Sequence, residues 1–391
     1  MTPACDLCAS PSLSQVYAAP DSTRKLTVWV CGHCGLSQSL PRIDRAERRA
    51  ATVSAGADWG NLRYGKGFRT EANFATLKPY LKDDKPLRVL DVGTNRGAFA
   101  LKLLEAFPNA LITGIEPDER VVEAWARKPS VTWVHARLEE TRLANESFDV
   151  IYSCHTLEHV RSAREALLLH HAALAPNGYL FIEVPNLAVI SSVDMVEEFF
   201  IDKHLYHFSH RTLARLLTAC GFRAIAIADP RDTTNITIVA TKTAIPTGAV
   251  AADPQEVQSA AGLISDYNAT RLRNQQALSQ VARLISGLAP RKVAIWGAGR
   301  LLNSLIEHGG LKPQTLAAVV DKNLIKYAAE VHGVALTAPE ALSDIRPDVV
   351  IVMSRSFAEE IRTEAQQRAP GCEVILYSDL LQRAKAQSAA A

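Results

Sequence analysis

The sequence predicts an α/β chain. It has an open, doubly wound parallel sheet, a small cysteine-bound unit in front and a second, smaller α/β domain behind. Three observations predict this. Short β-branched runs alternate with helical stretches over residues 86–242. Two Cys-x-x-Cys pairs, Cys5/Cys8 and Cys31/Cys34, precede that alternation. A second alternation starts at Pro290, beyond an Ala/Pro-rich stretch.

A chain of 391 residues has room for two or three domains, and 48% hydrophobic with 21% charged residues is a globular composition. The 43 basic and 41 acidic residues nearly cancel, which argues against a nucleic-acid partner. No apolar run approaches the ~18 residues that span a bilayer. The N-terminus lacks the charged and apolar regions of a signal peptide, so a reducing cytoplasm is expected. Cysteines there form no disulfide framework.

Residues 1–41 carry too little apolar content to fold alone, and a metal would compensate. Each Cys-x-x-Cys places two thiolates on one knuckle, and two knuckles separated by a hairpin complete a tetrahedral site. Cys5, Cys8, Cys31 and Cys34 are therefore the expected structural zinc ligands, with His33 a poorer alternative. Residues 42–85 read as helical and connecting. Strands are expected at Leu87–Val92, Ala110–Glu116, Val131–His135, Phe148–Ser153 and Tyr179–Val184. Helices fall near 97–106, 118–128 and 162–175. Phe222–Ala228 and Asn235–Thr241 read as a hairpin, hence an antiparallel finish. Residues 244–254 read as a linker and 255–288 as one long helix or a helix pair. The last α/β domain spans 290–383, with strands at Val293–Trp296, Leu316–Val320, Val349–Met353 and Val374–Tyr377.

The chemistry concentrates at Asp91-x-Gly93-x-Asn95-x-Gly97, between a strand and a helix. Its glycines let backbone approach a ligand, and the helix start offers unpaired N–H groups. Glu116, ending the next strand, stands where a carboxylate accepts two ribose hydroxyls. Together with Phe148–His159 and Leu174–Pro185, this pattern resembles the class I S-adenosylmethionine-dependent methyltransferases over residues 60–242, whose core is a seven-stranded sheet. The resemblance implies further cofactor contacts from Pro117, Arg137, Leu138 and His155. An NAD-binding Rossmann domain is the competing reading, and the antiparallel finish disfavours it.

After the fifth strand, Ile201–Ser209 places Lys203, His204, Tyr206 and His207 at the sheet's C-terminal edge, where open α/β folds bind ligands. A neutral histidine suits a general base. Glu158-His159 reads as the start of the following helix, capping it or orienting the cofactor. Gly297-Ala-Gly299-Arg300 opens a helix that suits a substrate phosphate, with Asp321 nearby.

The three-part layout resembles the sugar C-methyltransferases, in which a zinc unit, a methyltransferase core and a Rossmann-like C-terminal domain enclose a nucleotide-linked keto-sugar. Aligned on Phe208-Ser209, that family's histidine is His204, its glutamate is Lys203 and its tyrosine is Ile201. The resemblance implies catalysis by His204, with His207 and Lys203 beside it. It implies substrate contacts from Tyr64, Phe68, Arg69 and Tyr206, and from Gly297, Gly299, Arg300 and Asp321. The expected enzyme is a monomer or homodimer that methylates carbon on a small molecule, with O-methylation as the alternative. A non-catalytic cofactor-binding assembly protein is a second class of reading.

Overall fold

The computed structural model describes residues 4–20, 22–42, 66–82, 84–118, 129–192, 195–196, 198–227, 234–326, 328–355 and 357–390. These fall in two compact units. One lies within Met1–Gly60, Lys66–Val189 and Glu198–Ser265, the other within Ile190–Glu197 and Asp266–Ala391.

The first unit opens with β1 (Leu13–Ala18), β2 (Thr27–Cys31) and β3 (Ser37–Leu40). Next come α1 (Lys66–Leu77), β4 (Arg88–Val92), α2 (Ala98–Ala106), β5 (Leu111–Glu116), β6 (Val131–His135), β7 (Phe148–Cys154), α3 (Ala163–Ala173) and β8 (Leu174–Pro185). It closes with β9 (Tyr206–His207), α4 (His210–Ala219), β10 (Phe222–Ile227), β11 (Asn235–Lys242) and the start of α5 (Pro254–Ser286). The main sheet has seven strands in the order β10-β11-β8-β7-β4-β5-β6. Strands β4 to β8 are parallel, and β11 runs antiparallel between β8 and β10. The expected hairpin finish is present, although its turn lies outside the described residues, as does the expected helix from residue 119 on.

Successive strand residues face opposite sides of a sheet, and both sides here are covered. Val89, Val150, Tyr152 and Phe181 pack with Phe74 of α1 and Phe99 of α2. Tyr152 stacks on Phe99 with ring centroids 3.6 Å apart. Leu90, Val92, Ile151 and Ile182 pack with Leu167 of α3 and Leu213 of α4. This two-sided burial explains the near-continuous apolar runs of the central strands.

The N-terminal strands form a separate antiparallel sheet, β1-β2-β3-β9, whose fourth strand the sequence did not reveal. Ser37 pairs with His207 and Gln38 with Tyr206, and the Ser39 N–H donates to the Leu205 carbonyl at 2.9 Å. Cys5, Cys31, Cys34 and Leu36 share one hydrophobic cluster with Leu205, Phe208 and Leu216. The cysteine unit and the sheet therefore belong to one folding unit.

The stretch read as a linker is held in place. The Asp253 N–H donates to the His33 carbonyl at 2.7 Å, and Arg211 and Arg215 of α4 both pair with the Asp253 carboxylate. Ser209 Oγ, which caps α4, donates to Glu256 at 2.6 Å. The unit boundary accordingly falls inside α5 rather than ahead of it.

The second unit contains the rest of α5, β12 (Val293–Trp296), α6 (Arg300–Glu307), β13 (Ala318–Val320), β14 (Glu330–Val331) and β15 (Val334–Thr337). It ends with α7 (Leu342–Ile345), β16 (Val349–Val352), α8 (Ala358–Arg368), β17 (Glu373–Leu376) and α9 (Tyr377–Ala390). Its sheet runs β14-β15-β13-β12-β16-β17, parallel except for β14. The short strands β14 and β15 were not foreseen. No helix among the described residues is long and apolar enough to cross a membrane.

Leu36 is fully buried where the cysteine unit meets the core. Leu36→Ala is expected to lower stability by about 2–5 kcal/mol. An unchanged denaturation midpoint would show that the two parts do not share a core.

Candidate functional site

The loop after β4 is shaped by three left-handed residues, Gly93, Asn95 and Gly97, with φ of 72°, 49° and 76°. Asparagine is among the side chains that tolerate this region. A Cβ on Gly97 would lie 2.5 Å from the Trp133 ring, so glycine is required for contact as well as for φ. The loop folds back onto β5, where the Gly93 and Thr94 N–H groups donate to the Ile115 carbonyl at 2.9 and 3.0 Å. Asp91 lies buried beneath it. Its Oδ2 accepts from Thr94 Oγ1 at 2.7 Å, and burial pushes its pKa up to about 7. Asp91 shapes the loop from below.

Glu116 is 8% exposed at the end of β5. One carboxylate oxygen accepts the Asn95 N–H at 2.8 Å and the other the Asp118 N–H at 3.0 Å. Burial raises its pKa against the pull of those donors. Each oxygen keeps a second lone pair, so the bonds orient the carboxylate without exhausting it. Pro117 follows it directly, and its carbonyl faces His135 Nε2 at 3.2 Å. Arg137 lies just past neighbouring β6 and acts electrostatically on Glu116, while Leu138 is buried in the core.

Beyond β7 and β8 the edge changes character. His155 holds a left-handed φ of 49°, an uncommon and strained state for histidine. Its Nδ1 lies 3.2 Å from Glu158 Oε1 and its Nε2 3.4 Å from Glu183 Oε1. Burial and nearby Arg69 disfavour a charge on His155, yet the two glutamates prevail and its pKa is raised. Glu183 also pairs with Arg69 at 3.2 Å and accepts from Thr237 Oγ1 at 3.1 Å. Burial alone would raise its pKa, but His155 and Arg69 hold it down to about 2. The loop after β4 is tied to this side by Thr156 Oγ1, which donates to the Val92 carbonyl at 3.0 Å.

Glu158 and His159 do not start a helix. They lie in the turn after β7, and α3 begins at Ala163 behind a Ser162 cap that accepts the Glu165 N–H. The His204 ring meets the His159 ring edge-on at 4.8 Å. Burial first, then the neighbouring imidazoles, lower the His204 pKa well below 6.5 and leave it a neutral base. The Lys203 carbonyl faces His159 Nδ1 at 3.1 Å.

Two expected site residues are placed in the core. His207 is 2% exposed, with Nε2 2.7 Å from Ser39 Oγ, and burial lowers its pKa to about 3. Tyr206 is 1% exposed and its hydroxyl donates to the Arg161 carbonyl. They lie on opposite faces of β9, and both faces are covered: Tyr206 joins the main core cluster, and His207 packs against Phe199 and Phe200. Tyr64 lies outside the described residues, and the side chains of Phe68 and Arg300 are likewise not described. Glu183 was missed, and its signal was a carboxylate inside an otherwise apolar strand, Phe181-Ile-Glu-Val184. Asp118, 1% exposed beside Glu116, was also missed.

The four cysteines converge as expected. Cys5 Sγ lies 3.5 Å from Cys34 Sγ, and Cys8 Sγ 3.6 Å from Cys31 Sγ. A zinc tetrahedron with bonds of ~2.3 Å has sulfur separations of ~3.8 Å, so the set fits a closed ion site. His33 is directed elsewhere, with Nε2 2.9 Å from the Val250 carbonyl.

In the second unit, Gly297 has a φ of 117°, and a Cβ there would lie 2.7 Å from the Met353 carbonyl oxygen. Gly299 precedes α6, and a Cβ there would meet nothing within 4 Å. Asp321 is engaged by backbone, accepting the Ala298, Asn323 and Leu324 N–H groups. It fastens the glycine turn to the end of β13.

Residues 66–227 match the methyltransferase domain family, and residues 254–377 match the C-methyltransferase C-terminal domain family. Among curated relatives, a tRNA U34 carboxymethyltransferase of Syntrophotalea carbinolica is 31% identical over 122 residues. That match spans 30% of this chain and only 37% of the relative. The C-methyltransferase NovU of Streptomyces niveus is 23% identical over 295 residues, 70% of this chain and 67% of that one. Among solved structures, a Burkholderia thailandensis 1,6-didemethyltoxoflavin-N1-methyltransferase is similar at 20% identity and a TM-score of 0.39, covering 54% of this chain and 96% of that chain.

Glu116→Ala removes the carboxylate oriented beside the glycine loop. Binding of S-adenosylmethionine is expected to weaken by about 1–3 kcal/mol. Calorimetry showing wild-type affinity would mean that the ribose lies elsewhere.

Proposed function

We propose that this chain, a class I S-adenosylmethionine-dependent methyltransferase with a C-methyltransferase C-terminal domain, methylates a carbon atom of a nucleotide-linked keto-sugar. One observation carries the reading. A glycine loop with an oriented carboxylate ends β4 and β5, while an imidazole and carboxylate cluster ends the adjacent β7 and β8. Cofactor and acceptor thus have neighbouring edges of one sheet, as an in-line transfer requires.

Bound cofactor supplies a methyl group on a sulfonium centre. Gly93, Asn95 and Gly97 let the backbone close on its methionine part, and Glu116 receives the ribose hydroxyls. On the other side His204 accepts the proton that the acceptor carbon loses. Its neutral state near pH 7 suits that task. Lys203, standing where the sugar C-methyltransferases carry glutamate, holds an anionic oxygen or phosphate of the acceptor. Arg69, paired with Glu183, borders the same edge. The Gly297–Gly299 turn supports a nucleotide-binding role for the second unit. Cys5, Cys8, Cys31 and Cys34 hold a structural zinc, and that closed set leaves no position for substrate.

His204→Ala is expected to lower turnover by roughly 10²–10⁴ with cofactor affinity retained. A folded variant that methylates the substrate at the wild-type rate would remove His204 from the chemistry.

Zinc-replete protein is expected to carry one tightly held zinc at the cysteine set, with Cys5→Ser losing both metal and stability. Elemental analysis finding no stoichiometric metal would overturn the zinc assignment.

A further inference from the structure

The turn after β7 contains an arrangement that methyl transfer through His204 does not account for. One ligand atom from each of Glu158, His159 and His204 lies within 4.8 Å of the others. Glu158 is 0% exposed, and no well-aligned hydrogen bond reaches either carboxylate oxygen, although His155 Nδ1 lies 3.2 Å from Oε1. A carboxylate so placed is costly unless a positive partner meets it.

The histidine tautomer sharpens the point. His159 Nδ1 faces the Lys203 carbonyl at 3.1 Å. A carbonyl can only accept, so Nδ1 carries the hydrogen. In the neutral ring Nε2 then presents a lone pair, and it lies 3.6 Å from Glu158 Oε1. Two lone-pair donors facing one another this closely call for a cation between them. A backbone carbonyl that fixes one imidazole nitrogen so that the other can ligate is a recurring feature of metal sites. His155, 3.2 Å from the same carboxylate oxygen, orients it from behind.

We propose that Glu158, His159 and His204 form a divalent-cation site, distinct from the cysteine set, that holds an oxygen atom of the methyl acceptor. Two imidazoles and one carboxylate suit a transition ion such as Mn²⁺, Fe²⁺, Co²⁺ or Zn²⁺. Three protein ligands leave positions for oxygen donors, and His159 and His204 are only half buried, so the open side faces solvent. The acceptor class is therefore a molecule with a carbonyl or a pair of adjacent hydroxyls. An oxygen on the cation is polarised, which eases proton loss from that oxygen or from the carbon beside a carbonyl. The inference rests on the proposed function for the location of the acceptor. It changes one role, because with the ion bound the His204 lone pair is a ligand and the proton passes to solvent.

Mn²⁺ separates the two metal sites, since it favours nitrogen and oxygen donors over thiolates. Full-length protein carrying one zinc per chain, at the cysteine set alone, is titrated with Mn²⁺, and free Mn²⁺ is counted by its paramagnetic resonance signal. One ion per chain is expected, with Glu158→Gln and His159→Gln binding it roughly tenfold or more weakly. Retained cysteine-bound zinc and unchanged affinity for the demethylated cofactor show that each variant is folded. No Mn²⁺ binding by the wild type, or equal binding by both folded variants, overturns the site. Full methyl transfer by protein stripped of this ion overturns its acceptor-holding role. If the ion fails while His204→Ala still abolishes turnover, direct proton transfer to His204 stands. If the ion binds the wild type as expected and His204→Ala turns over normally, His204 is neither the base nor a ligand that the acceptor needs, and both its roles fail while the Glu158–His159 part of the site stands.

Discussion

The sheet edge beyond β7 and β8 depends on one constraint, the full burial of the Glu158 carboxylate. An uncompensated charge there would cost far more than a single contact returns. The protein brings the His155 and His159 imidazoles to within 3.2 and 3.6 Å of it. The same residue fixes backbone. Its carbonyl accepts the Leu205 N–H at 2.7 Å and the Tyr206 N–H at 3.3 Å. The turn after β7 and the segment carrying His204 are thus registered on one amino acid.

That registration extends to the cysteine unit. Leu205 bonds to Ser39, and Tyr206 and His207 pair with β3, which follows the second cysteine knuckle. Ser37, Gln38 and Ser39 are all fully buried, unusual for a run of three polar residues, and Ser39 meets its side-chain bonding need at His207. A closed thiolate site has no open position for chemistry, yet it contributes folding energy outright. In this chain the strand that follows the second cysteine pair is the one against which the His204 segment is laid.

The cofactor half of the fold was legible because its signals are local. Asp91, Gly93, Asn95 and Gly97 lie within seven residues, and Glu116 ends the adjacent strand. Val131–His135 was placed with its observed limits. The cysteine site was legible for the same reason, since spacing alone implies its geometry. The edge beyond β7 was not. His207 and Tyr206 look reactive beside His204, but their burial comes from pairing with a strand 168 residues away in the case of His207 and Ser39. Glu183 looked like part of an apolar run, and its partners Arg69, His155 and Thr237 come from three separate elements. Glu158-His159 resembled a helix start because Ser162, the residue that caps α3, lies only three positions further on.

This division between local and distant determinants bears on how the site can diversify. The glycine loop depends on its left-handed residues and on its clearance from Trp133. Position 203 is different. Its main-chain carbonyl fixes the His159 tautomer, and any amino acid supplies that carbonyl. Its side chain is therefore able to vary without removing that carbonyl, although its charge acts on both His159 and His204. Under the proposed function, position 203 thus sets the charge that the acceptor meets while the backbone bond that fixes His159 is kept.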